Sequence, residues 1–423
     1  MSASSSPHSA LESCSVFDEL PTELGVLIFS YLSASELASM AAVSHRFRSW
    51  AKDDLLWRKL CAADWGCQPH AHLDQVLPPE SEPVGCWKEV YHGWVMFFDG
   101  IPMEYAQEMG RVLRRLVAAA DAAVPGIADT ILPPLSRDAS RAEWDVLGVS
   151  PPMSIRALYS WLGGQNLGRD VKRALEMCLL AASDQLYPVD IGSGVGVGFA
   201  ASTVGGDMRL YAVDPEGMLV RVCSSGLMPM VSQVGDDRED PLLCWLRTYA
   251  ERLESGVFGA DELFSAGELG PGASPLVAIS HFPQSGAGYY EATTRGITVG
   301  AAPALVGDSE WAYRITVFEA DGGAELPKAQ LTTRRWVIDG EDGEHDEVEG
   351  PGVIGLYPVV EASVGPSRAK PFRYVSRTLL TESERGTMGG AFKFVPGTID
   401  EPAGEPFWVH VPTFELRVDD VLF

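Results

Sequence analysis

Positive charge is scarce in this chain: 32 Lys and Arg stand against 58 Asp and Glu, a formal net charge of -26 at pH 7. Phosphate backbones and anionic bilayers are gripped by clustered cations, so neither nucleic acid nor a membrane is an expected partner. Long apolar runs are missing as well, none reaching the roughly 20 residues that a membrane-crossing helix needs. The Ser-rich start (Ser2, Ser4, Ser5, Ser6, Ser9) has neither the basic flank nor the apolar centre of a secretory signal. Cysteines are few, odd in number and scattered (Cys14, Cys61, Cys67, Cys86, Cys178, Cys223, Cys244), the usage of a reduced chain, so the expected location is cytoplasmic or nuclear. The eight histidines are dispersed, and no Gly-x-Ser-x-Gly elbow, His-Glu-x-x-His pair or Walker lysine is present. The expectation is a chain that is not an enzyme and carries no cofactor or metal.

With 423 residues, 46% of them hydrophobic, the chain is long enough for several domains. Residues 1–15 are small and polar and read as a disordered tail. Pro21 suits a first helical turn, and Leu24, Leu27, Ile28, Tyr31 and Leu32 recur at helical spacing until Ser33-Ala34-Ser35 interrupts them. Ser35 is the expected N-cap of a second helix carrying Leu37, Met40, Ala41 and Val43; Phe47 and Trp50 mark a third piece, and Leu55, Leu56, Trp57 and Leu60 follow. Gly25 costs its helix about 1 kcal/mol relative to alanine, so packing must carry that helix. So short a segment, running on to Trp65, has more apolar surface than it can bury, which points to a partner protein.

The order Leu20-Pro21, Leu24/Leu27/Ile28/Leu32, Glu36-Leu37, Val43-Ser44, Phe47, Trp50 and Leu56-Trp57 over residues 16–66 resembles the F-box. The resemblance implies docking to a Skp-type adaptor, and through it to cullin and RING subunits, by Leu20, Pro21, Leu24, Leu27, Ile28, Leu32, Leu37, Val43 and Trp57. Phe29 stands where a smaller aliphatic is usual, and Ser44-His45-Arg46-Phe47 replaces the more familiar Cys-Arg-x-Trp.

Residues 67–86, rich in proline and polar side chains, read as a linker. Cys61, Cys67, His70, His72 and Cys86 cluster across it, but their spacing matches no closed zinc pattern. A second domain is expected over 87–270. It holds an amphipathic helix at 103–124, a helix after Pro151-Pro152 with Ser154 as N-cap and Gly163-Gly164 as stop, a glycine-rich strand region from Asp190 to Val222, and a closing helix carrying Leu242, Leu243, Trp245, Leu246, Tyr249 and Leu253. This order resembles the SUKH superfamily, whose members mostly bind proteins. The run Asp190-Ile-Gly192-Ser-Gly194-Val-Gly196-Val-Gly198 invites a nucleotide reading, but no clear helix follows to hold a phosphate, and close strand packing or a bulge accounts for the glycines.

Residues 271–289 read as a linker rich in Pro, Gly and Ser, and 290–423 as a β-domain. Tyr313, Ile315 and Val317 alternate with Arg314 and Thr316; Phe392 and Phe394 flank Lys393; Phe407, Val409 and Val411 flank Trp408 and His410; and Phe414, Leu416 and Val418 alternate with Glu415 and Arg417. Turn signals between these runs predict a sandwich, with the acidic stretch Asp339–Glu349 and the Asp321-Gly-Gly323 loop at hairpin ends. The segments Thr294-Arg295-Gly296-Ile297, Leu331–Ile338, Gly350–Pro358, Phe372-x-Tyr374, Gly386–Gly390 and Pro412-Thr-Phe414-x-Leu416 make this region resemble the ApaG domain. Arg377 departs from it, standing where a glycine commonly follows Tyr-x-Ser. Gly350-x-Gly352-x-x-Gly355 formally satisfies the dinucleotide fingerprint, yet it lies between strands and close to Pro358, so a structural turn competes with a ligand site. Bacterial relatives of the domain have been suggested to bind pyrophosphate-containing ligands.

The expected fold is therefore multidomain α+β: an N-terminal α-helical F-box, an α+β SUKH-like middle domain and a C-terminal all-β immunoglobulin/fibronectin-III-like sandwich. The expected function is substrate recognition in an SCF ubiquitin ligase, the two later domains binding an unknown target protein. The alternative is a nucleotide- or pyrophosphate-binding protein working through the Gly350–Gly355 turn.

Overall fold

The computed structural model describes residues 17, 19–79, 81–136, 138, 142, 144–145, 150–168, 178–180, 184–186, 192–193, 196–202, 210–223, 226–230, 239–264, 274–306, 310–320, 328–361, 365–380 and 385–417. The expected tail at 1–15, half of the glycine run from Asp190 and the Asp321-Gly-Gly323 loop lie outside them. Two compact units result, Met1–Arg111 and Val112–Phe423.

The first unit holds α1 (Thr22–Phe29), α2 (Ala34–Val43), α3 (His45–Trp50), α4 (Asp54–Trp65) and α5 (Trp87–Phe97). Pro21 precedes α1 with extended backbone and removes an N–H that the helix would leave orphaned. Ser33, not Ser35, caps α2: its hydroxyl accepts from the Glu36 N–H at 3.3 Å, and the Glu36 carboxylate accepts from the Ser33 N–H at 2.7 Å. The carboxylate three residues on decides the matter, because Ser35 has only Ala38 there. Ser44 and Asp53 cap α3 and α4, and Gly66, at φ 71°, ends α4 in the left-handed region.

Aromatic rings fill this unit. Phe29 meets Phe47 and Trp50 edge-on at 5.4 and 5.5 Å, and Trp65 of α4 stacks on Trp94 and Phe98 of the α5 turn at 5.9 and 5.6 Å. The segment 67–86 contributes Cys67, Val76 and Pro78 to the interior, and the Trp94 indole donates to the Val76 carbonyl at 2.9 Å.

The second unit contains most of α6 (Met103–Ala123), then α7 (Met153–Trp161) and α8 (Pro241–Glu254). Pro152, not Ser154, occupies the cap of α7; Ser154 lies inside the first turn and is buried. Gly163 is required because residues 131–133 run past it, and a Cβ there would sit 2.2 Å from the Pro133 carbonyl. The antiparallel sheet formed by β1 (Asp184–Leu186), β2 (Gly192–Ser193), β3 (Gly196–Ser202), β4 (Leu210–Val213), β5 (Leu219–Cys223) and β6 (Gly226–Pro229) runs in the order β1-β3-β4-β5-β6, with β2 beside β3. Trp245 of α8 packs on Phe199 and Tyr211 of this sheet at 6.2 and 6.1 Å.

A short hairpin, β7 (Ala260–Phe264) with β8 (Leu276–Ile279), precedes the β-domain. The domain then has β9 (Tyr290–Thr294), β10 (Ile297–Leu305), β11 (Glu310–Glu319), β12 (Ala329–Gly340), β13 (His345–Pro351), β14 (Val359–Val360), β15 (Phe372–Leu379), β16 (Arg385–Pro396) and β17 (Phe407–Arg417). These form two antiparallel sheets, β15-β11-β10-β9 and β13-β12-β16-β17, with β14 beside β12. Ile315, Val317, Trp336, Phe392, Val409 and Phe414 belong to one buried core.

The other face of β11 is buried as well. Arg314 and Thr316 are only 5% and 6% exposed, since the Arg314 guanidinium bonds Asp261 of β7, the Ser280 hydroxyl at 3.1 Å and the Pro283 carbonyl at 2.9 Å. Arg373 of β15 takes the second Asp261 oxygen at 2.5 Å. Burial lowers the Arg314 pKa and the Asp261 carboxylate opposes that shift.

Candidate functional site

The apolar face of α1 looks outward. Leu24, Leu27, Ile28 and Tyr31 are 46%, 53%, 45% and 81% exposed, while Gly25 and Phe29 face inward. Gly25 explains the orientation: the Trp50 indole lies flat on it, and a Cβ there would sit 2.3 Å from the ring. This close approach, with Phe29 beside it, fastens α1 by one narrow side and leaves the i, i+3, i+4, i+7 stripe in water. Arg46 donates to the Leu20 carbonyl and stands over the Trp50 ring at 5.1 Å, fixing the chain entry. Lys59 donates to the Ser30 carbonyl at 2.8 Å and covers one side of the Tyr31 ring.

The nine residues expected to meet an adaptor divide in three. Pro21, Leu24, Leu27, Ile28 and Val43 are exposed, and Leu20 and Leu32 are half-buried. Leu37 and Trp57 are buried; the Trp57 indole donates to the Ala51 carbonyl at 2.7 Å, so these two shape the helices from within. Tyr31 and Leu55, the latter 67% exposed, were not on that roster yet present apolar surface. Glu36, whose carboxylate is held below its ordinary pKa first by the Ser33 backbone N–H, stays charged in its capping role.

The cysteine and histidine cluster is spent on local structure. Cys61 donates to the Trp87 carbonyl, Cys67 to the Val76 carbonyl, and His70 lies 2.9 Å from Arg58. Among the described residues no group of three or more such side chains is placed to hold a metal ion. Among them also, no helix is long and apolar enough to cross a membrane.

Gly350, Gly352 and Gly355 surround a tight turn. Ile354 and Gly355 both have positive φ, 44° and 79°, and Val353 and Leu356 exchange backbone hydrogen bonds of 2.9 and 2.7 Å. The Gly352 N–H is bonded to the Thr332 carbonyl at 2.9 Å. Arg334 packs over Gly350 and donates to the Pro351 and Gly352 carbonyls, both at 3.0 Å. The Gly352, Val353 and Leu356 N–H groups and the Arg334 guanidinium are thus used in closing the turn.

The acidic stretch Asp339–Glu349 is the β12–β13 hairpin. His345 bonds Asp339 at 2.6 Å, and Arg335 pairs with Glu347 at 2.9 Å. The hydrogen bond to Asp339 raises the His345 pKa above that of a free histidine.

Residues 17–63 match the F-box-like family and residues 307–396 match the ApaG domain family. The chain is similar to F-box protein SKIP16 of Arabidopsis thaliana, with 23% identity over 94% of this chain and 97% of that protein. Its C-terminal part is similar to Protein ApaG of Methylorubrum populi, with 36% identity over 30% of this chain and 92% of that protein. Protein ApaG of Afipia carboxidovorans is also 36% identical, over 31% of this chain and 95% of its own length. The two family matches fall on the aromatic-cored helices and the antiparallel β-domain: the chain belongs to the ApaG family and joins its ApaG domain to an F-box-like N-terminus.

Proposed function

We propose that this protein is the substrate-recognition subunit of an SCF-type ubiquitin ligase. Residues 16–66 dock a Skp-type adaptor, which links the chain to cullin and RING subunits, and the domains over 87–270 and 290–423 hold the target protein. The observation that carries this reading is the exposed stripe Leu24, Leu27 and Ile28 on a helix whose other side is clamped by Trp50, continued by Tyr31 in the turn that follows. Such a row of apolar side chains, set on a rigid helix, fits a partner's groove rather than water. The likeness to an F-box protein along nearly the whole chain supports the same assignment. The middle region, with helices beside an antiparallel sheet, is in keeping with a SUKH-like protein-binding domain, and buried thiols at Cys61, Cys67, Cys178 and Cys244 suit a reducing cytoplasmic or nuclear setting.

The test is co-purification with a Skp-type adaptor. Leu27→Ser with Ile28→Ser alters only exposed positions and is expected to abolish capture while the β-domain stays folded. Undiminished capture by that variant, or by a chain lacking residues 1–66, would falsify the assignment.

A further inference from the structure

The two sheets of the β-domain end in very different edges. β13 carries Asp346, Glu347 and Glu349, three carboxylates that repel an approaching strand. β9 lies beside β17, where the His410 N–H reaches the Thr294 hydroxyl at 3.2 Å. The edge strand β15, Phe372–Leu379, has no carboxylate, no proline and no bulge against its neighbour, and among the described residues no strand lies on its outer side.

Its free backbone groups follow from the ladder. The Val306 N–H bonds the Glu310 carbonyl and the Ala320 N–H bonds the Gly296 carbonyl, so the even-numbered residues of β11 bond toward β10 and the odd-numbered ones toward β15. In register with those odd residues, Phe372, Tyr374, Ser376 and Thr378 bond inward, which leaves the N–H and C=O groups of Arg373, Val375, Arg377 and Leu379 pointing away from the sheet. The same four residues carry exposed side chains, Val375 and Leu379 at 49% and 59%.

We propose that β15 is a strand-addition site for an extended segment of a partner protein that alternates acidic and apolar residues. Main-chain bonds to four outward residues give the affinity, and the side-chain row Arg-Val-Arg-Leu gives the selection. Arg373 and Arg377 pair with Asp261 and Glu310 at 2.5 and 3.0 Å, and their side chains remain 40% and 56% exposed, so part of each guanidinium is open to an added strand. Carboxylates on an added strand meet that positive row, whereas a second copy of β15 laid antiparallel would bring arginine rows together. In a chain of net charge -26, β15 itself carries two arginines and no carboxylate. The biological meaning rests on the receptor reading, with β15 as a point of target capture, but the binding itself needs no adaptor and is measured without it.

The experiment uses the full chain and two fluorescent nonapeptides, one alternating glutamate and valine, the other lysine and valine, followed by anisotropy. The acidic peptide is expected to bind about tenfold more tightly than the basic one. Val375→Pro removes an outward N–H without removing a bond to β11, so it is expected to weaken the acidic peptide about tenfold at an unchanged melting temperature. Should that variant unfold, Arg377→Glu decides: it is expected to narrow or reverse the preference between the peptides. The proposal fails if both peptides bind alike, if neither binds, if neither variant changes binding, or if light scattering shows a dimer that Val375→Pro abolishes.

Discussion

Helix α1 and strand β17 are both amphipathic, and they face opposite ways. In β17, Phe407, Val409, Val411, Phe414 and Leu416 point into the sandwich while Trp408 and His410 face solvent. In α1 the apolar stripe itself stands in solvent, and glycine with one phenylalanine makes the inward side. Periodicity therefore tells which residues share a face, and the neighbours decide whether that face is the core. The β-domain supplies a second apolar sheet to cover β17; the helical unit offers α1 only a tryptophan ring and its aromatic companions.

The sharpest way to break that contrast is to disturb the polar lock of the β-domain. Asp261→Asn leaves the Arg314 guanidinium buried without its counter-charge and is expected to cost about 3–5 kcal/mol. Chemical denaturation of the full chain reads this as an early transition, and Asp261→Glu should restore part of the loss. A smaller effect is expected at the clamp of the helical unit. Gly25→Ala drives a methyl into the Trp50 ring and is expected to destabilise that unit by about 1–3 kcal/mol through overpacking, although alanine is the better helix former. If the variant were more stable, the flat contact between Gly25 and Trp50 would be refuted.

On the exposed stripe the same chemistry should count for little in folding. Leu27→Ala is expected to change stability by no more than about 0.5 kcal/mol, while Phe392→Ala in the sandwich core is expected to cost about 3–5 kcal/mol. Equal melting shifts for the two would erase the distinction between them. The smallest effect concerns the acidic hairpin. His345, raised by its bond to Asp339, should titrate above a free histidine by NMR, and Asp339→Asn should bring it down. By linkage, any stability this pair adds is present below the unfolded histidine pKa and is lost as pH rises through the folded one.

Much of this architecture was legible because it depends on local signals. Proline at 21, the spacing of Leu24, Leu27 and Ile28, and the alternation in β16 and β17 each state their element without reference to the rest of the chain. What was hidden depends on contacts far apart in sequence. Arg314 and Thr316 look like the wet side of an alternating strand, yet Asp261, Ser280 and Pro283 cover the arginine and Tyr289 lies against the threonine. The burial of Leu37 and Trp57 was equally hidden, since an apolar residue looks the same in sequence whether it meets a partner or its own helices. The Ser33 cap was readable after all: Glu36 three residues later is the signal that separates it from Ser35.

The reach of the contacts also sets an order in time. In the helical unit the outermost interior partners, Trp94 and Phe98, close on Trp65 across about thirty residues, and the Trp87 N–H finds Asp54 across 33. The β-domain must wait for its last strand, since the His410 N–H meets Thr294 across 116 residues. Local contacts form first and distant ones last, so during vectorial synthesis the stripe on α1 is presented once about the first hundred residues have left the ribosome. The proposed docking face is then complete while the proposed target-binding end is still being made, and stalled chains of that length should already be recovered by an immobilised adaptor.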